Sequence, residues 1–191
     1  MTLANKLTMA RLALALLTFA CLWTQRPGLY PWALALYAVA TVTDWVDGFV
    51  ARRTGSVSAF GALADPVADK ILVIGALIAF IRIPDIEVPN WAVFLIVVRE
   101  LVVGMLRALF AVTGKVHSAG KAWKWSMAVQ SACVLAMLAA LCFPFSGPWA
   151  SGLPFALTLV CLAASWSSGG LYLYQARAQL RKSWSPGQGL P

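Results

Sequence analysis

Asp44-Trp45-Val46-Asp47-Gly48-Phe49-Val50-Ala51-Arg52 is followed, after eight intervening residues, by Gly61, and then by Asp65 and Asp69. Four carboxylates therefore stand at spacings of three and four residues inside flanks that are almost wholly apolar. Residues three or four apart share one face of a helix, so Asp44 pairs with Asp47 and Asp65 with Asp69. A charge at membrane depth costs about 2.5–3.5 kcal/mol on insertion scales, so four carboxylates need a compensating partner. A bound cation is the most general one, and the rest of the chain reads as scaffolding for that site.

The flanks decide the fold class. The 191 residues are 61% hydrophobic and 12% charged, against about 25% charged in an ordinary soluble domain. That composition predicts an all-α integral membrane protein with about six spans of roughly 20–25 residues. The net charge of +8 would suggest nucleic acid in a soluble protein. Here the basic residues gather at span ends, which fits orientation in the membrane and anionic headgroups, and nucleic acid is not expected as a partner. Cys21, Cys133, Cys142 and Cys161 lie in apolar surroundings without CxxC spacing, and read as small core residues rather than disulfides or zinc ligands. Lys6 and Arg11 before an apolar run resemble a signal peptide, but no cleavage site is evident, and a retained first span is expected.

The spans are expected at about 7–23, 30–53, 57–83, 90–112, 120–143 and 155–174, in a single domain over 1–191. Residues 1–6 read as a short interfacial segment, and about 177–191 as a basic cytoplasmic tail. Lys6, Arg11, Arg52, Arg53, Lys115, Lys121, Lys124, Arg177, Arg181 and Lys182 fall on one side, and Arg26 and Arg82 on the other. That asymmetry puts both termini in the cytoplasm, which an even number of spans requires. The short Thr54-Gly55-Ser56 connection predicts that spans two and three are antiparallel neighbours, with both acidic pairs near the cytoplasmic end.

Oxygen-only ligands suit Mg²⁺ or Mn²⁺ rather than zinc. Four carboxylates could hold two such ions about 3.5–4 Å apart, an arrangement suited to displacement at phosphorus. Gly48 and Gly61 leave room for a bulky ligand, Arg52 can reach a phosphate, and Asp69 could accept a proton from an alcohol. Intramembrane carboxylates also line ion pathways, so a small cation transporter is the competing class. It predicts acidic residues spread through the membrane, whereas these are bunched towards one face.

Asp44, Asp47, Gly48, Ala51, Arg52, Gly61, Asp65 and Asp69 together resemble the signature of the CDP-alcohol phosphotransferase family, matching every fixed position. The resemblance implies six transmembrane helices, a homodimer, two divalent metals on the four aspartates, and Asp69 as general base. It implies a CDP-linked lipid donor, with CMP leaving, and a bacterial inner-membrane location with the site facing the cytoplasm. Asn5, Leu7, Thr8 and Arg11 at the start, Leu63 to Lys70, Arg99-Glu100, Leu106-Arg107 and Gly120-Lys121 are similar to the branch that joins CDP-diacylglycerol to glycerol 3-phosphate. On that resemblance Asn5, Thr8, Gly48, Ala51, Arg52 and Gly61 meet the CDP-lipid. Arg99, Arg107, Lys121 and Lys124 meet the acceptor phosphate, Lys124 standing one place later than that branch's second lysine. Cations in the cytoplasmic halves of spans four and five are costly without an anion, and a phosphate supplies one. Inositol phosphate, phosphatidylglycerol or serine are the alternative acceptors. The resemblance extends over about 5–130; beyond it spans five and six match only in hydropathy.

Several residues read as structural. Glu100 is expected to pair with a neighbouring cation, Lys70 to balance local charge, and Pro66 to kink span three. His117 is expected in a loop, and Trp23, Trp32, Trp91, Trp123, Trp125 and Trp149 as interface anchors. Gly169-Gly170 could permit close helix contact between protomers or simply face lipid.

Overall fold

The computed structural model describes residues 3–54, 59–84, 86–112, 121–143 and 152–183. Within its helices, side chains are described except at 3–7, 44–54, 59–66, 69, 108–112, 121 and 178–183. The described fold is all-α: α1 (Leu3–Trp23), a 3-10 turn (Pro27–Leu29), α2 (Tyr30–Thr54), α3 (Ala59–Phe80), α4 (Asn90–Val112), α5 (Lys121–Cys142) and α6 (Leu153–Ser183). Two of these helices, over Ala122–Cys142 and Leu153–Arg177, are long and apolar enough to cross a membrane among the described residues. Shorter apolar helical stretches among the described residues are Thr8–Trp23 and Lys70–Phe80.

The helix ends follow local chemistry. Gln25, just past α1, takes a left-handed φ of 55°, the conformation that closes many helix C-termini. Its side-chain amide donates to the Arg82 carbonyl at 2.6 Å, and the Arg82 guanidinium lies 3.8 Å from the Trp23 ring centre. The C-terminal ends of α1 and α3 are thereby joined. Pro31 and Pro154 fall in the first turns of α2 and α6, where a missing N–H leaves no hydrogen bond unmade. The Pro89 carbonyl accepts from Ala92 and Val93 as α4 begins.

Helix α1 packs along both α2 and α3; α5 packs on α6 and α2, and α6 on α4. Among the described residues α2 and α3 are joined through α1 more than by direct contact. The short connection, and the side chains of α2 and α3 on either side of it where the expected neighbourhood of these helices falls, lie outside the described ones. Helix α3 runs unbroken through Pro66. The sixth helix continues nine residues past the expected end at Tyr174, so Arg177 and Arg181 lie on a helix rather than in a loose tail.

The bundle is polarised along its axis. Leu22, Tyr37, Leu77, Phe80, Ile83, Ile96, Val134 and Met137 form an apolar core in the half that holds the α1–α2 turn. The other half, towards the N-terminus of α1 and the acidic stretches, buries Thr8, Arg11, Arg99, Glu100, Ser126, Ser165 and Ser168. Two buried hydroxyls in the apolar half are satisfied locally: Thr18 and Thr158 each donate to the carbonyl four residues back, at 2.8 Å. A buried ionic cluster in the opposite half needs tertiary partners, and that is where chemistry can be placed.

Candidate active site

Asp44, Asp47, Gly48, Ala51 and Arg52 fall in the last three turns of α2. Gly61, Asp65 and Asp69 fall in the first half of α3. At 1.5 Å per residue the paired aspartates are about 4.5 Å and 6 Å apart along their helices. The side chains of these residues, and of Asn5 and Lys121, lie outside the described ones, as does His117 entirely. Four carboxylates, two from each of two helices, are a set that would suit hard divalent ions such as Mg²⁺ or Mn²⁺ better than zinc. Thr8 and Arg11 of α1 are buried beside this half of the bundle.

The residue after Asp69 opens the described part of the site. Lys70 Nζ lies 3.5 Å from a Glu100 carboxylate oxygen and donates to the Glu100 main-chain carbonyl at 3.1 Å. The same carboxylate accepts from Arg99 Nη1, and the Ser165 hydroxyl of α6 stands 3.5 Å from it. Glu100 is thus paired with cations on α3 and α4, and Lys70 balances charge, as the sequence suggested.

Arg99 is 5% exposed. Its Nη2 donates to Ser168 Oγ at 2.5 Å, and Ser168 donates in turn to the Ser165 carbonyl at 3.0 Å. A guanidinium carries five N–H groups. Two of them are used by Glu100 and Ser168, and the buried Nε has no hydrogen-bond partner among the described residues. Arg107, two turns nearer the end of α4, has a buried Nε in the same condition. Its guanidinium lies 4.6 Å from the Trp123 ring centre and 5.3 Å from that of Tyr172, close enough for cation–π attraction. Tyr172 and Ala176 of α6 pack on Val103, with Leu106 against them. Lys70, Arg99, Arg107 and Glu100 together carry a net +2, and buried positive charge is costly unless an anion answers it.

The structure brings Arg99 and Arg107 together on one face of α4, against α6. Lys124 is exposed on the first turn of α5, and no described contact joins it to either arginine. Three residues of α6 escaped the sequence reading, Ser165, Ser168 and Tyr172, and with Gly169 they share one face. Their i, i+3, i+4, i+7 spacing was the available signal. Gly169 faces Arg99 within the same chain, so the close helix contact expected at this glycine is made to α4 rather than between protomers. Trp123, expected as an anchor, stacks on Arg107. The four cysteines are free, with Cys133 and Cys161 buried.

Comparison with known proteins extends the likeness past the limit expected from the motifs. The family model described as CDP-alcohol phosphatidyltransferase matches residues 1–167. A CDP-diacylglycerol–glycerol-3-phosphate 3-phosphatidyltransferase of Pseudomonas fluorescens is 30% identical over 184 residues, covering 96% of this chain and 91% of that protein. The protein of the same name from Bacillus subtilis is 41% identical over 103 residues, 52% of each chain. That from Escherichia coli K12 is 36% identical over 157 residues, 78% of this chain and 81% of the relative. Likeness over nearly the whole length, with every fixed position of the acidic signature present, sets the transporter alternative aside: the chain belongs to the CDP-alcohol phosphatidyltransferase family.

Proposed function

We propose that this protein transfers the phosphatidyl group of CDP-diacylglycerol to glycerol 3-phosphate, with release of CMP, as a step in glycerophospholipid synthesis. The observation that carries the reading is the Lys70–Glu100 link. It ties the α3 segment ending the acidic signature to the α4 segment bearing Arg99. That link supports a reading in which a phosphorylated acceptor is held by the arginines beside the donor chemistry. The names of the relatives above support the same donor and acceptor.

Asp69 is assigned as the base. It takes the proton of the acceptor hydroxyl as that oxygen bonds to the phosphorus bearing diacylglycerol. The bond from that phosphorus to the bridging oxygen breaks, and CMP leaves with the bridging oxygen. Asp44, Asp47, Asp65 and Asp69 would hold two Mg²⁺ or Mn²⁺ ions, which supply neutralising charge to the diphosphate. Asn5, Thr8, Gly48, Ala51, Arg52 and Gly61 are assigned to the CDP-lipid. Arg99, Arg107 and Lys121, with Lys124 at the rim, are assigned to the acceptor phosphate, where charge-assisted hydrogen bonds hold it in place.

We read all six helices as spans. The shortest has 21 residues, about 31 Å at 1.5 Å per residue, close to the thickness of a hydrocarbon core. Exposed Leu16, Trp32, Phe94, Leu101 and Met105 suit lipid contact. The basic asymmetry supports cytoplasmic termini and a cytoplasm-facing site in a bacterial inner membrane, and a homodimer is the assembly proposed.

The test is CMP release by purified protein in detergent, given CDP-diacylglycerol, Mg²⁺ and in turn glycerol 3-phosphate, inositol phosphate, phosphatidylglycerol or serine. Release with glycerol 3-phosphate alone, lost in Asp69→Asn, is the expected result. Release with a different acceptor would overturn the assignment of the acceptor, and none with any would overturn the reaction.

A further inference from the structure

We propose that α6 is a positioning helix for the acceptor: Ser168 and Gly169 set Arg99, and Tyr172, with Trp123 of α5, sets Arg107. The inference rests on the reading of these arginines as the phosphate site. It adds an element that neither the acidic signature nor the described donors include, since Ser168, Gly169 and Tyr172 lie beyond residue 167, where the family match ends.

An arginine side chain has four rotatable bonds, and a phosphate gains from it only if the fork is held in one place. Along α6, Ser165, Ser168, Gly169 and Tyr172 form one stripe, and each has a described neighbour in the α4 cluster. Ser165 meets the Glu100 carboxylate, Ser168 meets Arg99 Nη2, and Tyr172 meets Arg107. Gly169 supplies space rather than a bond. A Cβ there would stand 2.6 Å from Arg99 Nε and 3.2 Å from its Cγ. Glu100 and Ser168 fix the far end of Arg99, so the side chain cannot swing aside without breaking one of them. At Gly170, the next residue, a Cβ would meet nothing within 4 Å. The need for glycine is therefore local to Arg99 and is not a property of the helix.

Tyr172 and Trp123 do for Arg107 what Ser168 and Glu100 do for Arg99, with ring faces in place of acceptors. A ring face restrains a guanidinium without consuming its N–H groups, so the donors stay free for an anion. The two arginines are thus oriented by different chemistry from one helix, and both keep a buried Nε unused among the described residues.

The experiment is steady-state CMP release by the full chain in detergent with CDP-diacylglycerol and Mg²⁺, glycerol 3-phosphate being varied. Wild type is compared with Gly169→Ala, Gly170→Ala, Tyr172→Leu and Tyr172→Phe. Gly169→Ala and Tyr172→Leu are expected to raise KM for glycerol 3-phosphate about ten-fold or more. The kcat and the KM for CDP-diacylglycerol should stay within about two-fold. Gly170→Ala should behave as wild type, and Tyr172→Phe, which keeps the ring face, should recover most of the defect. If Gly169→Ala lowers the folded yield, Ser168→Ala removes one oxygen and adds no bulk, and should raise the same KM a few-fold. Wild type active with glycerol 3-phosphate, but with that KM unmoved in these variants, would overturn the role of α6 alone. A uniform loss of kcat with both KM values unchanged would also overturn it. Wild type inactive with glycerol 3-phosphate would overturn the acceptor reading and this inference with it.

Discussion

Lys70 Nζ donates to the main-chain carbonyl of Glu100 at 3.1 Å and stands 3.5 Å from its carboxylate. One ammonium therefore ties the helix of the acidic signature to the helix that carries Arg99 and Arg107. Glu100 is 3% exposed and answers two cations. Glu100→Gln keeps shape and hydrogen-bonding capacity but leaves Arg99 and Lys70 without a counter-charge. It is expected to destabilise the fold by about 1–3 kcal/mol, read as a lowered thermal midpoint in detergent. Lys70→Met should cost less, because that end of the pair is partly open to solvent.

Removal of divalent metal provides a separate test. If four carboxylates hold two ions, chelation should abolish CMP release, and Mg²⁺ or Mn²⁺ should restore it while Zn²⁺ does not. The apo protein should also lose thermal stability, since a ligand that binds only the folded state adds to it. Asp65→Asn should remove that metal-dependent gain in midpoint as well as the activity.

The acidic signature was legible because its meaning lies in spacing alone: Asp44, Asp47, Asp65 and Asp69 need no tertiary information to be placed on two helix faces. The bounds of α4 were likewise fixed by Asn90 after Pro89 and by the length of its apolar run. The end of α6 was not. Gln175 to Lys182 is polar, which reads as tail, but its Gln, Ala, Arg, Leu and Lys are strong helix formers, and the helix continues. The packing of α1 on both α2 and α3 was hidden because loop length reports sequence neighbours and says nothing of what else lies alongside. The stripe on α6 was hidden for another reason. Ser165, Ser168 and Gly169 look like filler in an apolar span until the arginine they touch, some 69 residues away for Ser168, is in view.

The two neighbouring tryptophans of α5 should separate by function. Trp123 stacks on Arg107, whereas Trp125 is 71% exposed and suits an interface anchor. Trp123→Leu is expected to raise KM for glycerol 3-phosphate about five-fold or more, the loss of about 1 kcal/mol of cation–π attraction. Trp125→Leu should leave that constant unchanged and alter only the protein's behaviour in bilayers.

Orientation can be tested without activity. With both termini in the cytoplasm, reporters fused at residue 1 and residue 191 should both be scored cytoplasmic. A single cysteine at Arg26, in a cysteine-free background, should react with an impermeant reagent added outside intact cells. A reporter split between the two sides would show an odd number of crossings and would rule out the six-span arrangement.

The far end of the bundle offers a test of stability uncoupled from catalysis. Gln25 combines a left-handed backbone with the bond to the Arg82 carbonyl. Gln25→Ala loses the bond and keeps the strained φ that the wild type already carries, so the bond alone counts against it, and a loss of about 0.5–1.5 kcal/mol is expected. Gln25→Gly loses the same bond but relieves the backbone, which offsets about 1 kcal/mol. The glycine variant should therefore melt close to wild type and above the alanine variant. Both should keep full catalytic constants at a temperature where they are folded, since the acidic signature and the arginine cluster lie in the opposite half of the bundle.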